Sequence, residues 1–539
     1  MASPRRAALG FVAITFLITG PQFACAGAQC PGFTPLKAPL PQRSAGERTA
    51  IGLEYVYIDQ HDAVPIQAQA LAETGLTAVK HYPEHVQWGE MQKGPNDAID
   101  FTRLDDYVRE YQKAGFGDLV ICLKANAKWA SRAPGLVHWD DANPKPEFYD
   151  AYEKWIGSVV ERYDGDGVND MPGLRWPVRY LEIGSEFSSY EPGPVAHYLE
   201  TLGHAYRAAH RASSTIEVAH AAFLPTTAFR SHPAPSAEAY QRAFDSIEVD
   251  RTHTLQDMWS ILDHPELFDV ANFHALADPT EIEDTVRWLG FEMSRRGYRK
   301  PVMISDTLVT PLIAWGRATS CDGPKDKLGK LIPPVTEADR CKVAEVFSKL
   351  VSDDAKTIQW AQAFTAADTV QRAVVSAEQG VRLVDLAYTT DLPSLPFKTR
   401  LFGAGAGLTT WAGFIDLKGK CVDEKRPVLY ATKQLMGYLR DYQSVRRLPY
   451  PDPQVRVYEV ERPGGKVWVA WLDPGRVTLP GESEPTKAVT IPMGGGQASI
   501  EAVIDAPQQT TGRRVGLAAS EGGASVTLTP RPVFVIPGA

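Results

Sequence analysis

The chain has 539 residues, of which 44% are hydrophobic and 22% charged, and its formal net charge is -9 at pH 7. This length exceeds one small domain, and the composition is that of a globular protein with a sizeable buried core. The mild negative charge and the lack of a basic run beyond the N-terminus argue against a nucleic-acid-binding surface, which needs clustered Lys and Arg. No nucleic-acid partner is therefore expected.

The first 28 residues have the organisation of an export signal. A basic start, MASPRR, precedes the apolar stretch AALGFVAITFLITG and the small residues ACAGA, with a cleavage point near Ala26 or Ala28. A membrane anchor is the alternative, but the apolar stretch is shorter than the roughly 20 residues that a spanning helix needs. We therefore predict a signal peptide over residues 1–28, a secreted or periplasmic protein, and no membrane association after cleavage.

The cysteines fit an oxidising compartment. Cys25 is predicted to leave with the signal, and Cys122 lies in the apolar run DLVICLK, which is typical of a buried free thiol. The remaining four are Cys30, Cys321, Cys341 and Cys421. Cys321 and Cys341 close a short local loop and are the favoured disulfide, whereas Cys30 with Cys421 follows only by elimination. Because no CxxC motif or Cys/His cluster is present, we predict no metal site.

The next 400 residues alternate between two kinds of pattern. Residues 29–48 are rich in proline and polar side chains and are predicted to be a linker or surface strap. Eight apolar runs follow, separated by helical stripes: IGLEYVYI from Ile51, LTAVKHY from Leu76, DLVICLK from Asp118, RYLEIG from Arg179, IEVAHAAF from Ile216, FDVANFH from Phe268, PVMIS from Pro301 and VRLVDLAY from Val381. Such runs indicate parallel strands buried on both faces, so residues 49–441 are predicted to form an α/β fold, a (β/α)8 TIM barrel.

Two segments depart from this repeat. An insertion at about residues 314–367 follows the seventh run. Because loops after strands lie on the catalytic face of such barrels, it is either a lid or a surface elaboration. Residues 442–539 contain short alternating runs separated by Gly, Pro and Asp, beginning with the hairpin pattern VRVYEVERPGGKVWVAWLD. They predict a C-terminal all-β sandwich.

Two acidic residues come directly after strands that lie nearly opposite each other in a barrel. Glu186 follows the fourth run and Asp306 follows the seventh. Side chains at the C-terminal ends of barrel strands point into the mouth. A facing pair of carboxylates is what glycoside hydrolysis requires, since one protonates the leaving oxygen while the other attacks carbon or activates water. A salt bridge inside the barrel is the alternative for either residue, and it is expected for Glu182, which lies within its strand.

Five stretches carry a resemblance to a known family. They are VKHYPEHVQWGEMQKGPNDAIDFTRLDDYVREYQKAGF, VVERYDGDGVNDMPGLRWPVRYLEIGSE, FDVANFHAL, VRWLGFEMSRRGYRKPVMISD, and WAGFIDLKGK with KRPVLYATKQLMGY. Their order resembles glycoside hydrolase clan A, and within it the secreted enzymes near family 39. The resemblance implies an exported hydrolase of O-glycosidic bonds in a polysaccharide or oligosaccharide, without a cofactor. It also implies that Glu186 is the acid/base and that Asp306 stands at the nucleophile position.

The same resemblance implies sugar contacts around the mouth. His274 matches a histidine that ends the sixth strand and shapes the sugar site, and Ser185 stands where the clan has an asparagine that binds the sugar's 2-hydroxyl. The other implied contacts are His81, Trp88, Lys124, Asn126, Trp129 and Tyr388. A Trp or His at a strand end is about as often packed under a loop, and Lys124 is equally explained as an ion-pair partner.

Two departures from the clan fall in the predicted catalytic centre. Ser185 is shorter than asparagine, and Asp306 replaces a glutamate, which retracts the carboxylate by about 1.5 Å. Retaining enzymes hold the two groups about 5–5.5 Å apart, and inverting ones about 6.5–9.5 Å. Three hypotheses remain open: direct attack by Asp306, activation of water by Asp306, and a non-catalytic glycan-binding protein on a degenerate barrel. A barrel enzyme acting on something other than sugar is a weaker alternative.

Other chemistries lack support. The acidic loop DGDGVND, residues 164–170, fails the calcium-loop spacing because Val168 occupies a ligand position and the closing glutamate is lacking. We predict a solvated turn there. The sequence contains no phosphate-binding glycine loop, GxSxG elbow or HExxH motif, which argues against nucleotide, serine-hydrolase and zincin chemistry.

Overall fold

The computed structural model describes residues 30, 48–134, 140–247, 252–307, 320–323, 331, 334–390, 412–493, 496–520 and 522–538. The predicted signal peptide and nearly all of the predicted linker lie outside the described residues. Within the described ranges, no helix has the length and apolar character needed to cross a bilayer.

Eight parallel strands, each overlapping one predicted apolar run, form the first domain. They are β1 (Ala50–Val56), β2 (Ala78–His81), β3 (Asp118–Leu123), β4 (Tyr180–Glu186), β5 (Glu217–Ala222), β6 (Ala271–Ala275), β7 (Val302–Thr307) and β8 (Leu383–Leu386). Their hydrogen-bonded order is β5-β4-β3-β2-β1-β8-β7-β6, and bridges from Ala219 to Val270 and from Phe223 to Phe273 join β5 to β6. The predicted (β/α)8 barrel is confirmed.

Helices surround this barrel. They are α1 (Val64–Ala72), α2 (Thr102–Ala114), α3 (Tyr149–Tyr163), α4 (Val195–Ala212), α5 (Ala237–Asp245), α6 (Leu255–Leu262), α7 (Thr280–Arg295), α8 (Arg340–Val351), α9 (Ala355–Glu378) and α10 (Pro427–Leu439). In α2, the stripe of Leu104, Tyr107, Val108 and Tyr111 is buried. This helix ends at Gly115, whose φ of 103° gives the left-handed cap that glycine adopts readily.

Short elements complete the first domain. One-turn helices span Trp88–Met91 and Phe187–Tyr190, and 3-10 turns span His61–Ala63, Pro83–Val86, Pro146–Phe148, Pro265–Leu267 and Glu337–Asp339. Two small antiparallel ribbons pair Ser131–Ala133 with Asp141–Pro144 and Ile415–Lys418 with Cys421–Lys425.

The interior of the barrel changes from apolar to charged along the strands. One side chain from seven of the strands, and Val270 directly before β6, close the lower end: Ala50, Ala78, Val120, Tyr180, Ala219, Val270, Met303 and Leu383. Because strand side chains alternate, the residues two positions further on also point inward. They include Lys80, Glu182, Asn272, Ser305 and Asp385, all fully buried. The charged layer therefore lies toward the C-terminal ends of the strands, where the active sites of such barrels are built.

Eight antiparallel strands form the second domain. They are β9 (Ser444–Arg447), β10 (Val455–Glu461), β11 (Val467–Leu472), β12 (Lys487–Ile491), β13 (Gly496–Ala502), β14 (Arg514–Ser520), β15 (Gly523–Leu528) and β16 (Val533–Pro537). Their order is β9-β10-β11-β16-β13-β14-β15-β12. Leu472, which ends β11, donates its backbone N–H to Thr529 O beyond β15 at 2.8 Å, so the sheet curls on itself. The predicted all-β module is a half-barrel or sandwich around its own apolar core.

Two kinds of contact hold the chain together across long sequence distances. Glu283 of α7 binds the second domain, since its carboxylate accepts from Arg456 Nη1 at 3.0 Å and from Tyr458 Oη at 3.1 Å. Disulfides join Cys30 to Cys421 and Cys321 to Cys341. Both predicted pairs are therefore present, and Cys122 is a buried free thiol as predicted.

The described part of the predicted insertion packs on one side of the barrel mouth. Val343 and Val346 of α8 join Leu276 and Tyr388, which follow β6 and β8, in a separate apolar cluster. The C-terminal limit predicted for the insertion, residue 367, falls inside α9, a continuous helix of 24 residues. Much of the remainder of the insertion lies outside the described residues.

Arg372 of α9 ties this helix to the strand ends that carry the mouth. Its guanidinium pairs with Asp368 at 2.5 Å and donates to Thr307 Oγ1 at 2.7 Å and to Ala275 O at 3.0 Å. The side chain is fully buried. Arg372 thus balances the charge of Asp368 and donates hydrogen bonds to the ends of β6 and β7.

We predict that Arg372→Met lowers the free energy of unfolding by about 3–5 kcal/mol, because it leaves Asp368 buried without its ionic partner. Urea unfolding followed by tryptophan fluorescence measures the loss. The matched control is Arg446→Met, since Arg446 is 64% exposed and pairs with Glu459 at the surface. The control substitution should lower the free energy of unfolding by about 0–1 kcal/mol. Equal losses for the two variants would contradict the role of Arg372.

Candidate active site

A bulge in β4 presents Glu186 at the barrel mouth. Pairing with β5 shifts between Ile183 and Glu186, and Gly184 has a φ of 85°. A Cβ on Gly184 would lie 2.8 Å from the Glu191 carboxyl and 2.9 Å from Ala221 Cβ, so a side chain does not fit there. Glu186 is only 9% exposed. The bulge thus re-aims the end of the strand and places the carboxylate in a nearly closed site.

A second bulge, in β7, turns Asp306 inward. Phe273 opposes Ile304, but the next residue, His274, opposes Asp306, so Ser305 is the extra residue in β7. In a regular strand the side chain next to the inward Ser305 points outward. The bulge overrides this alternation, and Ser305 and Asp306 both face the interior. The register shift, rather than a longer side chain, brings this carboxylate to the mouth.

Three side chains converge between the two bulges. One carboxylate oxygen each of Glu186 and Asp306 and a ring nitrogen of His274 lie within 4.8 Å of one another. His274 Nδ1 is 3.2 Å from Glu186 Oε1 and 3.9 Å from Asp306 Oδ2. The two carboxylate oxygens, no more than 4.8 Å apart, are closer to the retaining arrangement of about 5–5.5 Å than to the inverting one of about 6.5–9.5 Å.

A chain of hydrogen bonds from Lys80 to Glu186 assigns the tautomer of His274. Lys80 Nζ is 2.9 Å from Glu182 Oε2, and Ser305 Oγ donates to Glu182 Oε1 at 2.9 Å. Because the Ser305 proton is used there, His274 Nε2 must donate to Ser305 Oγ, 2.9 Å away. In the neutral form of His274, Nδ1 is then an acceptor facing Glu186.

Lys80 is shared between buried acids on two strands. Its ammonium pairs with Glu54 of β1 at 2.8 Å as well as with Glu182, and it donates to Ser305 O at 2.9 Å. Burial raises the pKa of Glu54 far above its usual range, and the charge of Asp306 raises it further. Burial has the same effect on the pKa of Asp385. Burial therefore favours the uncharged form of both acids.

Asp306 has a pKa near neutrality. Burial raises its pKa to about 7, against the opposing charge of Lys80 and with the added repulsion of Glu186. Neither carboxylate oxygen accepts a hydrogen bond from a nitrogen or hydroxyl group of the described residues. The Glu54 carboxyl forms a hydrogen bond with Asp306 that lowers its pKa, and this bond requires a proton on Glu54. Ionised Asp306 thus has few hydrogen-bond donors among the described residues.

Tyrosines line one side of the mouth, and sequence reasoning missed the central one. Tyr55 has a φ of 62°, at a register shift in β1, and its ring lies 5.5 Å from Tyr82 and 4.8 Å from Tyr388. Burial and the charge of Asp306 raise the pKa of Tyr55. Strained backbone of this kind clusters at functional sites. The sequence signal for Tyr55 was weak, because a bulge does not show in the apolar run IGLEYVYI.

Two predicted sugar contacts have no exposed surface. On β2 the inward position belongs to Lys80, so His81 points out of the barrel, where it packs on Tyr107 and its Nε2 accepts from Cys122 N at 3.1 Å. Burial lowers the pKa of His81 to about 3. Trp88 is likewise fully buried, with its ring 5.8 Å from that of Trp155. Both side chains build the barrel wall, and the structure does not bring them to the carboxylates.

The other predicted contacts lie around the rim. Lys124 is buried and pairs with Glu84 at 2.7 Å, and Ser185 donates its backbone N–H to Glu191 at 2.9 Å. Burial raises the pKa of Glu191 to about 7, and the nearby charge of Lys124 lowers it. Asn126 is buried, with no partner for Oδ1 among the described residues. Trp129 is half-buried against Trp88, and Tyr388 is buried beside α8.

Comparison with known proteins places this architecture among glycoside hydrolase folds. The sequence matches no protein-family model and no curated protein. The structure is similar to a family 39 glycoside hydrolase from the gut symbiont Bacteroides cellulosilyticus WH2. The TM-score is 0.55 at 11% identity, over 91% of this chain and 81% of that one.

Two further solved structures agree in fold. A monomeric beta-xylosidase from Caulobacter crescentus CB15 has a TM-score of 0.50 at 13% identity, over 92% of this chain and 97% of that one. A conserved exported protein from Bacteroides fragilis has a TM-score of 0.50 at 12% identity, over 91% and 98% of the two chains. The chain therefore shares the fold of family 39 glycoside hydrolases over most of its length.

The raised pKa of Asp306 predicts that Asp306→Asn is more stable than the wild type at pH 8. The folded protein holds this proton more tightly than the unfolded chain, so the wild type loses stability as pH rises from about 4 through about 7. Asparagine carries no charge to bury. The gain at pH 8, on the order of a few kcal/mol, should vanish toward pH 4.

Thermal unfolding at pH 8 and pH 4 measures this difference. Asp166→Asn removes a carboxylate from an exposed residue and is the control, with little change expected at either pH. A destabilised Asp306→Asn at pH 8 would show that the folded state stabilises the ionised carboxylate instead.

Proposed function

We propose that the protein is an exported glycoside hydrolase that cleaves an O-glycosidic bond in a polysaccharide or oligosaccharide with retention of configuration. The facing carboxylates of Glu186 and Asp306, within 4.8 Å of each other and of a nitrogen of His274, are the observation that carries this proposal. Two carboxylates at such a spacing suit direct attack by one of them, since the spacing is closer to that of retaining than of inverting enzymes. The shared fold with a family 39 hydrolase supports the same class of reaction.

In the first step, Glu186 donates its proton to the glycosidic oxygen, and ionised Asp306 attacks the anomeric carbon. The bond between that carbon and the leaving oxygen breaks as an ester between the sugar and Asp306 forms. His274 positions the proton, because its Nδ1 accepts from Glu186 while its Nε2 is anchored to Ser305. Lys80 lowers the pKa of Asp306 and so favours the ionised form that attacks.

In the second step, Glu186 takes a proton from water as that water attacks the anomeric carbon. The ester to Asp306 breaks, and the product keeps its original anomeric configuration after two inversions. Glu186 then holds a proton again and Asp306 is ionised, which restores the starting state. No other reactant is needed.

Export is part of the same proposal. The predicted signal sequence and the two disulfides suit an oxidising compartment outside the cytosol. The structural similarity to a conserved exported protein agrees with this assignment. A secreted or periplasmic enzyme of this type acts on carbohydrate outside the cell or in its envelope.

A non-catalytic glycan-binding protein is the second candidate. It is favoured by the pKa of Asp306, about 7, because the carboxyl is then largely protonated in acidic surroundings and does not attack. The short Ser185 side chain, in place of an asparagine, points the same way. The two candidates differ in whether any glycan is cleaved above pH 7.

The test is a screen of polysaccharides and aryl glycosides at pH 8 with wild type, Glu186→Gln and Asp306→Asn. On a glycan that the wild type cleaves, we expect each variant to lose about 10²–10⁴-fold in kcat, the usual contribution of a positioned proton donor or more. Asp166→Asn, which changes an exposed carboxyl outside this site, is the control and should stay active. Full activity of either test variant refutes the assignment. Binding without cleavage establishes the second candidate.

The spacing of the carboxylates further predicts retention. Proton NMR of the first product released from a cleaved glycan should show the anomer of the substrate, before mutarotation mixes the two forms. Methanol added as an acceptor should give a methyl glycoside of the same configuration, because it replaces water in the second step. The opposite anomer would show that Asp306 activates water instead of attacking.

A further inference from the structure

We propose that Glu186, His274 and Asp306 also bind a divalent transition-metal ion such as zinc, and that the bound ion blocks hydrolysis. The blocking rests on the proposed function, whereas the binding does not. The three side chains come from β4, β6 and β7, and each offers one ligand atom to a common point.

The distances suit a small ion after minor side-chain adjustment. Zinc binds imidazole nitrogen and carboxylate oxygen at about 2.0–2.2 Å, so neighbouring ligands of a tetrahedral site lie roughly 3.3 Å apart. His274 Nδ1 is 3.2 Å from Glu186 Oε1 and 3.9 Å from Asp306 Oδ2. Three protein ligands leave one position open to solvent or to a small molecule.

The surroundings of His274 match those of a metal-binding histidine. Such a residue typically donates its other ring N–H to a neighbour that is itself hydrogen-bonded to a carboxylate or carbonyl, which fixes the ring and its tautomer. His274 Nε2 donates to Ser305 Oγ, and Ser305 donates to Glu182. The lone pair on Nδ1 therefore faces Glu186 and Asp306 in the form that a metal ion needs.

Asp306 gives an independent indication of a missing partner. The side chain is 1% exposed, and neither of its oxygens receives a hydrogen bond from a nitrogen or hydroxyl group among the described residues. The neighbouring Glu54 carboxyl donates to it only while protonated. A buried carboxylate normally has a cation or several donors around it. A divalent ion in contact with Oδ2 would supply that charge.

The charge of the interior acts in the same direction. Buried carboxyls of Glu54, Glu182 and Asp385 lie near the site, and Lys80 pairs with two of them. Each carboxylate that loses its proton adds negative charge at short range in a medium of low dielectric constant. Each such charge would stabilise a cation at the mouth.

A second acidic cluster provides a contrast. Oxygens of Asp164, Asp166 and Asp170 also lie within 4.8 Å of one another. However, both oxygens of Asp170 accept backbone N–H groups, from Gly165 at 2.9 Å and Gly167 at 2.8 Å. The turn uses these carboxylates itself, and this cluster serves as the control.

Occupation of the site removes both chemical functions of the proposed hydrolase. With its oxygen bound to the ion, Glu186 has no proton to donate, and metal-bound Asp306 has a less available lone pair for attack. Zinc and glycan therefore exclude each other. The expected inhibition is reversed by a chelator.

The test is isothermal titration of zinc chloride into chelator-treated mature protein. Wild type should bind one ion, and so should a variant that combines Asp164→Asn, Asp166→Asn and Asp170→Asn. His274→Gln and Asp306→Asn should show no such binding, and Ser305→Ala should bind about 10–100-fold more weakly because His274 loses its outer hydrogen bond. Circular dichroism establishes that each variant folds. If His274→Gln is unfolded, zinc binding by Asp306→Asn, which is expected to be stable, decides whether the site is correct.

Zinc binding that survives both His274→Gln and Asp306→Asn, or that is lost only in the triple aspartate variant, overturns the site. No binding by the wild type overturns it as well. Because calorimetry needs no turnover, a bound ion in a protein that cleaves no glycan upholds the site while the hydrolase proposal fails. Hydrolysis stimulated by zinc would overturn the blocking action.

Discussion

The ammonium group of Lys80 and the buried acids around it set the charge balance on which the barrel mouth depends. Taking an unpaired ion out of water costs several kcal/mol, so acids on neighbouring strands can share a dry interior only if a cation or protons neutralise them. Lys80 pairs with Glu54 and Glu182 within 2.9 Å. Glu182 in turn accepts from Ser305, and that bond fixes His274 against Glu186. The orientation of the proposed proton donor therefore originates two strands away.

Backbone irregularities decide which carboxylates face each other. The bulges in β4 and β7 occur at Gly184 and Ser305, close to the two acids they present. In β7 the extra residue places Ser305 and Asp306 on the same side of the strand. Ser305 then supports His274, and Asp306 faces the mouth. Position in the strand, more than side-chain length, thus brings the short aspartate side chain to the mouth.

The fold was predictable because buried strands and helices with one buried face leave different spacings of apolar residues in the sequence. Apolar runs and helical stripes of the right number led to the barrel, and the ends of the fourth and seventh runs led to Glu186 and Asp306. Charges inside apolar runs, such as Glu54 and Lys80, were visible signals of a polar interior, although their pairing depends on how strands lie side by side. His81 shows the limit of prediction from sequence. Adjacent residues of a strand point to opposite sides, so an error of one residue moves a side chain from the barrel mouth to the barrel wall.

Aromatic residues were harder to place than acids. Trp88 and Tyr388 follow strands as a sugar platform does, yet tertiary packing against α3 and α8 encloses them. Tyr55 reaches the site only through a local backbone conformation with positive φ. The position of such side chains depends on packing or on backbone strain, which the sequence hardly shows. A carboxylate in an apolar run is conspicuous, because burying its charge costs free energy.

The extra residue in β7 has an evolutionary consequence. Removing a single residue at this bulge would restore regular alternation and rotate the aspartate out of the cavity, while the composition of the strand hardly changed. Insertion or deletion of one codon at this position would therefore add or remove the second acid without any exchange of the acid itself. Relatives that retain the aspartate in an aligned sequence need not share the arrangement, and strand length is the character to compare.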